Sequence, residues 1–279
     1  MKRKRFVVIA VMICVLISLL IALLHSRKCH SHNRDRSIVI HKDRSIVTNS
    51  HPNAFVSNFY FGKVSKDALY VEPQQLKNLL TIDECQRLME WASSRFKMST
   101  VRDEKGYTKA RKSETAWIPL NTFLFTQRLG EVALKSSGAT TNAGSLQIVR
   151  YQPHGYFRKH YDQCPECDDY CVNNTIKNGP RYANIIIYLN SGFGGGFTNF
   201  PNLGKKYRPN AGDGLLFYML DYKGQQVHPY AEHSGTPVTS GIKWIANLWM
   251  RKDKTTVHSS KSCDIEKFIK KDESVLKLN

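Results

Sequence analysis

The residues of this chain best suited to chemistry are His160 and Asp162, two apart in FRKHYDQC, His233 far downstream in YAEHSGTPV, and Lys243 in SGIKWIANLWM. Two imidazoles and one carboxylate fill one triangular face of a non-haem Fe(II) ion. They leave the remaining positions open for a co-substrate and O2. A lysine close behind the last ligand can bind the far carboxylate of a 2-oxoacid held at those open positions. The four residues therefore predict an Fe(II) oxygenase site with 2-oxoglutarate as co-substrate. A lone His-x-Asp pair arises by chance, and His154 and His228 compete among the ten histidines. The weight lies in the downstream frame as a whole.

The elements that must position this set are legible as patterns. SLQIVRYQP, YANIIIYLN, DGLLFYML and IKWIANLWM are short runs rich in β-branched and aromatic residues, bounded by Gly, Pro, Asn or Asp, and predict strands. On a strand, residues two apart share a face, so His160 and Asp162 can grip one ion, with His233 supplied by a separate strand or turn. Upstream, Thr81 with Glu84 three later is a capping-box signature. Ile82, Cys85, Leu88, Ala92 and Phe96 follow at helical spacing. A second helix is expected over Thr122 to Lys135. Helices followed by a run of strands predict an α+β domain.

From Val71 to Arg251, and most densely from Leu146, the chain resembles the prolyl 4-hydroxylase family, in particular its collagen-type and plant or viral branch. YQPHGYFRKHYD resembles the family's Tyr-x-x-Gly-x-x-Tyr-x-x-His-x-Asp segment. RYANIIIYLNSGFGGGFTNFP resembles its strand, Gly-Gly loop and Thr-x-Phe-Pro. NAGDGLLFY and EHSGTPVTSGIKWIANLW resemble its later strand and its His-x-Gly-x-Pro-Val-x-x-Gly-x-Lys-Trp ending. The resemblance implies a double-stranded β-helix, or jelly roll, buttressed by helices. It makes His160, Asp162 and His233 the iron ligands. Lys243 becomes the cation, and Tyr151 a hydroxyl donor, for the distal carboxylate of 2-oxoglutarate, with Asn184 beside the co-substrate. A buried carboxylate needs a paired charge and hydrogen bonds. Trp249 falls beside the active site, and Arg111, Ser113 and Phe157 fall along the peptide groove.

Two departures stand out. Phe157 replaces a frequent Tyr, removing a hydroxyl unless Tyr156 supplies it, and Asn184 replaces the usual Thr. Lys243 favours the prolyl branch, since lysyl hydroxylases, oxygen-sensing prolyl hydroxylases and nucleic-acid demethylases generally use Arg there, and the two cations are not interchangeable. The reaction implied is oxidation of a peptidyl proline at C4, with succinate and CO2 released from 2-oxoglutarate, and L-ascorbate restoring iron oxidised in uncoupled turnover. Polyproline II is a fitting shape for such a peptide. Another 2-oxoglutarate oxygenase, acting on lysine, a free amino acid or a small molecule, is the first alternative. A non-enzymatic membrane-anchored peptide-binding module is the second, and it would be expected to lose a ligand or Lys243.

The front of the chain predicts a location. Phe6 to Leu24 is uncharged and almost wholly apolar, and ~20 such residues at ~1.5 Å each span a bilayer core. MKRKR precedes it, and positive residues favour the cytoplasmic side. Residues 1–5 are then cytoplasmic, 6–24 a signal anchor, 25–57 a polar stalk, 58–251 the dioxygenase domain and 252–279 a charged tail. This is a single-pass type II protein with its catalytic domain in the lumen of the endoplasmic reticulum or secretory pathway. The apolar run exceeds the ~7–15 residues of a cleaved signal peptide. Net charge is +18, from 41 basic and 23 acidic residues. No recognition-helix or zinc-finger pattern accompanies it, so no nucleic-acid partner is expected. Cys164, Cys167 and Cys171 cluster in CPECDDYC. Three thiolates lack an obvious fourth zinc ligand, and an oxidising lumen favours one local disulfide stiffening a loop over the substrate. Asn173 begins an Asn-Asn-Thr sequon there, a glycosylation candidate.

Overall fold

Runs of β-branched and aromatic residues build two antiparallel sheets. In a computed structural model of the chain, residues 69–100, 110–163 and 169–252 are described, together with Asn58–Phe61, Arg102–Asp103, Gly106–Tyr107 and Thr256–Ser259. The larger sheet runs in the order Gln74–Leu76, Gly214–Tyr218, Arg181–Tyr188, Lys243–Arg251, Ser145–Tyr151, Glu114–Pro119 and Lys97–Met98. The smaller runs Lys205–Tyr207, Thr198–Phe200, His233–Gly235, Tyr156–His160 and Arg111–Lys112. Phe200 of the smaller sheet meets Phe217 of the larger edge-to-face at 5.1 Å, and the Tyr188 hydroxyl lies 2.8 Å from Thr198 Oγ1. The sheets thus face one another as a jelly roll.

Arg181–Tyr188 is buried at every position but its first. Such continuity, in place of polar–apolar alternation, means that both faces are covered. One face meets the smaller sheet. On the other, the helix Leu124–Ser137 packs on Lys243–Arg251, and the helix Ile82–Ser93 on Glu114–Pro119 and Ser145–Tyr151. The α+β jelly roll expected from the sequence is therefore the architecture found.

The capping box is present in full. Glu84 N–H donates to Thr81 Oγ1 at 3.1 Å, and Thr81 N–H to Glu84 Oε2 at 2.8 Å. Cys85, Leu88 and Ala92 are the buried stripe of that helix. The second helix is displaced two residues from the expected span. Leu120–Thr122 is a 3-10 turn, and the Thr126 hydroxyl accepts from Phe123 N–H and lies 2.7 Å from the Leu120 and Phe123 carbonyls. Its end is set by Gly138 at φ 67°, whose carbonyl accepts from Lys252 Nζ at 2.6 Å.

A larger difference lies after the predicted ligand pair. The region read as a loop contains the helix Asp169–Asn178. Cys171, Val172 and Thr175 share its buried face, while Asn173 is exposed. Cys171 is disulfide-bonded, which favours the disulfide over the zinc reading, and Cys85 is free and buried. Among the described residues no helix is long and apolar enough to cross a membrane. The expected anchor and stalk, with Cys164 and Cys167, lie outside the described residues, as does the expected tail apart from Lys252 and the strand Thr256–Ser259, which pairs in parallel with Asn58–Phe61.

Thr81→Ala removes the hydroxyl that caps the first helix. A loss of about 1 kcal/mol in unfolding free energy is expected, measured as a lowered urea midpoint with an unchanged slope.

Candidate metal centre

His160 ends the strand Tyr156–His160 and His233 opens the neighbouring strand, in direct antiparallel register. The rings lie 4.3 Å apart. Asp162 Oδ1 is 3.4 Å from His160 Nε2, and Oδ2 is 3.9 Å from His233 Nε2. One ligand atom from each residue falls within 4.8 Å of the others, the spacing of a group that could hold a metal ion. Each Nδ1 faces a backbone carbonyl, Arg158 O at 2.8 Å and Ala231 O at 2.9 Å. A carbonyl only accepts, so Nδ1 carries the proton and the Nε2 lone pairs face the cluster. The competitors are elsewhere. His154 is exposed at a positive-φ turn, and His228 is buried between Tyr70 and Tyr230.

The sequence placed His160 and Asp162 on one strand, but the strand stops at His160 and Asp162 lies in a bend. Hydrogen bonds, not the pleat, aim its carboxylate. Trp249 Nε1 donates to Oδ2 at 2.9 Å and Asn184 Nδ2 to the same oxygen at 3.1 Å. Arg181 holds the Asp162 carbonyl at 2.8 Å and lays its guanidinium over the Trp249 ring. Gln163 ties the bend to Arg181 N–H and to Thr175 on the adjacent helix. Arg181 carried no sequence signal, because its role depends on a neighbour 68 positions away in the chain reaching the same bend.

Burial by itself would raise the Asp162 carboxyl. The pull of His233 and His160 and the Arg181 charge outweigh it and hold the group below the usual carboxylate range. Burial, then the adjacent His160, push His233 down to about 4, against Asp162 and the Ala231 carbonyl. An ionised carboxylate beside a neutral imidazole at pH 7 is the protonation state that a divalent metal requires.

Lys243 begins its strand opposite Tyr151 and is 3% exposed. Its Nζ donates to Gly196 O at 2.6 Å and sits over the rings of Tyr188 and Tyr151 at 4.9 and 5.5 Å. Burial is the sole cause that pushes its ammonium down to about 7, so no acid among the described residues compensates it. A buried cation without a counter-charge is poised for an anionic ligand. The triple-glycine turn serves this pocket: Gly196, at φ 62°, has Phe193 and Lys243 where a Cβ would stand, 2.9 and 3.1 Å away.

Toward solvent, Phe157 stacks on His160 at 3.6 Å, and Arg111 lies 4.7 Å above Phe157. Ser113 is buried, accepts from Arg111 Nε at 2.8 Å and donates to Ser99. Its hydroxyl is thus engaged in orienting Arg111. Trp117, missed in the sequence, is 52% exposed with its ring 5.9 Å from Trp249. Its signal was available in the alternation of ETAWIP, which places Trp117 on the face shared with Ser113.

The donor set fits Fe(II), and the acid-free lysine fits a dicarboxylate. Comparison with known proteins agrees. The family described as the 2OG-Fe(II) oxygenase superfamily matches residues 146–251. A putative prolyl 4-hydroxylase of Acanthamoeba polyphaga mimivirus is 34% identical over 230 residues, 82% of this chain and 90% of the relative. Prolyl 4-hydroxylase 1 of Arabidopsis thaliana is 27% identical, over 65% of this chain and 69% of its own length. Among solved structures, the 2OG complex of the viral collagen prolyl hydroxylase from Paramecium Bursaria Chlorella virus-1 is 29% identical, with a TM-score of 0.51, over 64% of this chain and 96% of that one.

Were a carboxylate of 2-oxoglutarate held at Lys243, its binding would be proton-linked. A bound carboxylate raises the ammonium pKa above about 7, so binding takes up a proton once the free amine begins to lose its own. Affinity is expected to be flat below pH 7 and to fall by up to about tenfold per pH unit above it. Calorimetry in two buffers of different ionisation enthalpy reads both the affinity and the proton uptake.

Proposed function

The chain belongs to the prolyl 4-hydroxylase family of 2OG-Fe(II) oxygenases, and on that premise we propose how its residues divide the hydroxylation of peptidyl proline. The observation that carries this reading is the pairing of a two-histidine, one-carboxylate cluster with a buried, acid-free lysine. Fe(II) with 2-oxoglutarate and O2 supplies the oxidising chemistry, by which proline gains a hydroxyl at C4 and 2-oxoglutarate leaves as succinate and CO2. His160, Asp162 and His233 hold the metal, their orientations fixed by the Arg158 and Ala231 carbonyls and by Trp249 and Asn184. Lys243 supplies the charge, and Tyr151 a hydroxyl, to the distal carboxylate. Phe193 and the glycine turn close the pocket behind the lysine.

The peptide lies across the open side. Arg111, clamped by Ser113 and stacked on Phe157, borders one end, and Trp249 forms the floor beside Asp162. Trp117 extends that floor into solvent as a flat apolar surface suited to a proline ring of a polyproline II segment. Phe157 offers an apolar face in place of a hydroxyl, so proline is seated there by packing.

The surrounding biology is part of the same proposal. Phe6–Leu24 anchors the chain as a type II protein and residues 58–251 act in the lumen of the secretory pathway, with ascorbate as the reductant that restores iron. The apolar run, the basic segment before it and the disulfide at Cys171 support this location. Asn173 is exposed on its helix and free to carry a glycan. Protection of the C-terminal domain from added protease in sealed microsomes is the expected result, and digestion without detergent would refute the orientation.

The full chain is incubated with Fe(II), 2-oxoglutarate, ascorbate and either (Pro-Pro-Gly)n or polyproline. Mass spectrometry is expected to find one added oxygen on proline C4, lost in Lys243→Ala and Asp162→Ala. Undiminished succinate formation by Asp162→Ala would overturn the ligand assignment. Succinate without peptide oxidation by the wild type would remove proline as the target. Trp117→Ala is expected to raise KM for the peptide about tenfold, a loss of ~1.4 kcal/mol, with kcat little changed. An unchanged KM would remove Trp117 from the peptide path.

A further inference from the structure

Asn184 is only half used by the contacts around it. It stands on the central strand Arg181–Tyr188, 1% exposed, in register with Trp249 on one side and Phe217 on the other. Its Nδ2 donates to Asp162 Oδ2 at 3.1 Å. Its Oδ1 is, among the described residues, the one buried side-chain polar atom without a hydrogen-bond partner. The amide cannot be turned to cure this, because Oδ1 would then face the carboxylate, acceptor against acceptor. Native proteins rarely leave a buried acceptor unmet without a water, an ion or a function to explain it.

Covalent geometry places Oδ1 ~2.3 Å from Nδ2, and so beside Asp162, on the face that Asn184 shares with Ile186 and Tyr188. The missing partner must be a donor. Ionised 2-oxoglutarate has no N–H or O–H, and among the described residues no protein donor reaches Oδ1. Water remains, and a water polarised by a cation is a strengthened donor. The other end of the amide has its own consequence. With Trp249 and Asn184 both on Oδ2, the oxygen left for a metal is Oδ1, 3.4 Å from His160 Nε2. One-oxygen ligation keeps a coordination position open beside the amide.

We propose that Asn184 positions the metal site from both ends: Nδ2 holds Asp162 to single-oxygen ligation, and Oδ1 accepts from a water at the metal's open position. The departure from the family's usual threonine supplies this second polar end. Asn184 thereby acts as a positioning residue that determines how firmly the open position is kept by water before O2 takes it. This rests on the iron-site reading above, and the test separates the two.

The full chain, purified in detergent and stripped of metal, is titrated with Co(II) and then with 2-oxoglutarate while the visible d–d absorption is recorded. The wild type is expected to keep the weak bands of six-coordinate Co(II) with 2-oxoglutarate bound. Asn184→Leu, similar in size and wholly apolar, is expected to weaken Co(II) binding about tenfold and to shift to the stronger bands of five-coordinate Co(II). Trp249→Phe removes only a donor to Oδ2, so it is expected to weaken Co(II) binding while keeping the six-coordinate spectrum. Should Asn184→Leu fail to fold, Asn184→Val, with a strand-favouring side chain, carries the same expectation. A wild-type spectrum in the Leu or Val variant overturns the proposal, as does a five-coordinate wild type. Co(II) binding that survives His233→Ala overturns the iron site itself, and the proposal with it.

Discussion

The nearly buried carboxylate of Asp162 is the interaction on which the rest of the structure depends. An ionised oxygen pair removed from water is very costly unless donors surround it, and here they come from side chains remote in sequence. Trp249 and Asn184 donate to it from adjacent central strands and Arg181 binds the bend that carries it, while His160 and His233 face it from the other sheet with the lone pairs that leave a place for a metal. Satisfying one anion therefore ties strands of the larger sheet to the bend that leaves the smaller one. The helix Asp169–Asn178 belongs to the same arrangement, held by Gln163 and Thr175 at one side and by Arg251 on Gly179 O and Asn174 Oδ1 at the other.

Lys243 is the complementary case. It is as deeply buried, yet it has a single carbonyl and two aromatic faces for company. The fold supplies Asp162 with enough donors to stay ionised and gives Lys243 too little to stay comfortably charged. That asymmetry is functional. The anion is complete before any ligand arrives and can hold a metal, whereas the cation, among the described residues, lacks an acidic partner. Of two buried charges of opposite sign, one is compensated within the fold and the other is not.

Much of this was legible before any coordinates. His160, Asp162 and His233 come together as read from the sequence, because metal chemistry demands particular residue types, and such types are rare enough to identify by order and spacing. The capping box at Thr81 was legible for another reason: both of its hydrogen bonds close within four residues. Roles that depend on remote partners were not. Asn184 was expected beside the co-substrate, and the structure adds its contact with Asp162. Ser113 was expected along the groove, and the structure adds that its hydroxyl is engaged with Arg111 and Ser99. Arg181 gave no signal of its role, and Trp117 only the period-two alternation of its strand.

The sequence by itself determined the chemistry of the ligand set, the α+β class and the strand runs, since these follow from side-chain identity and local periodicity. Tertiary structure alone decided how the second ligand is aimed. Sequence spacing placed Asp162 on a strand, where the pleat would orient it, but the strand ends at His160 and side chains from two other strands take over. The same holds for the helix after the bend, whose short amphipathic face carries weak intrinsic preference and gains stability from burying Cys171, Val172 and Thr175. Local pattern records what a residue can do within a few neighbours. The partner that makes a buried polar group tolerable can lie anywhere in the chain, and only the packed fold reveals which one it is.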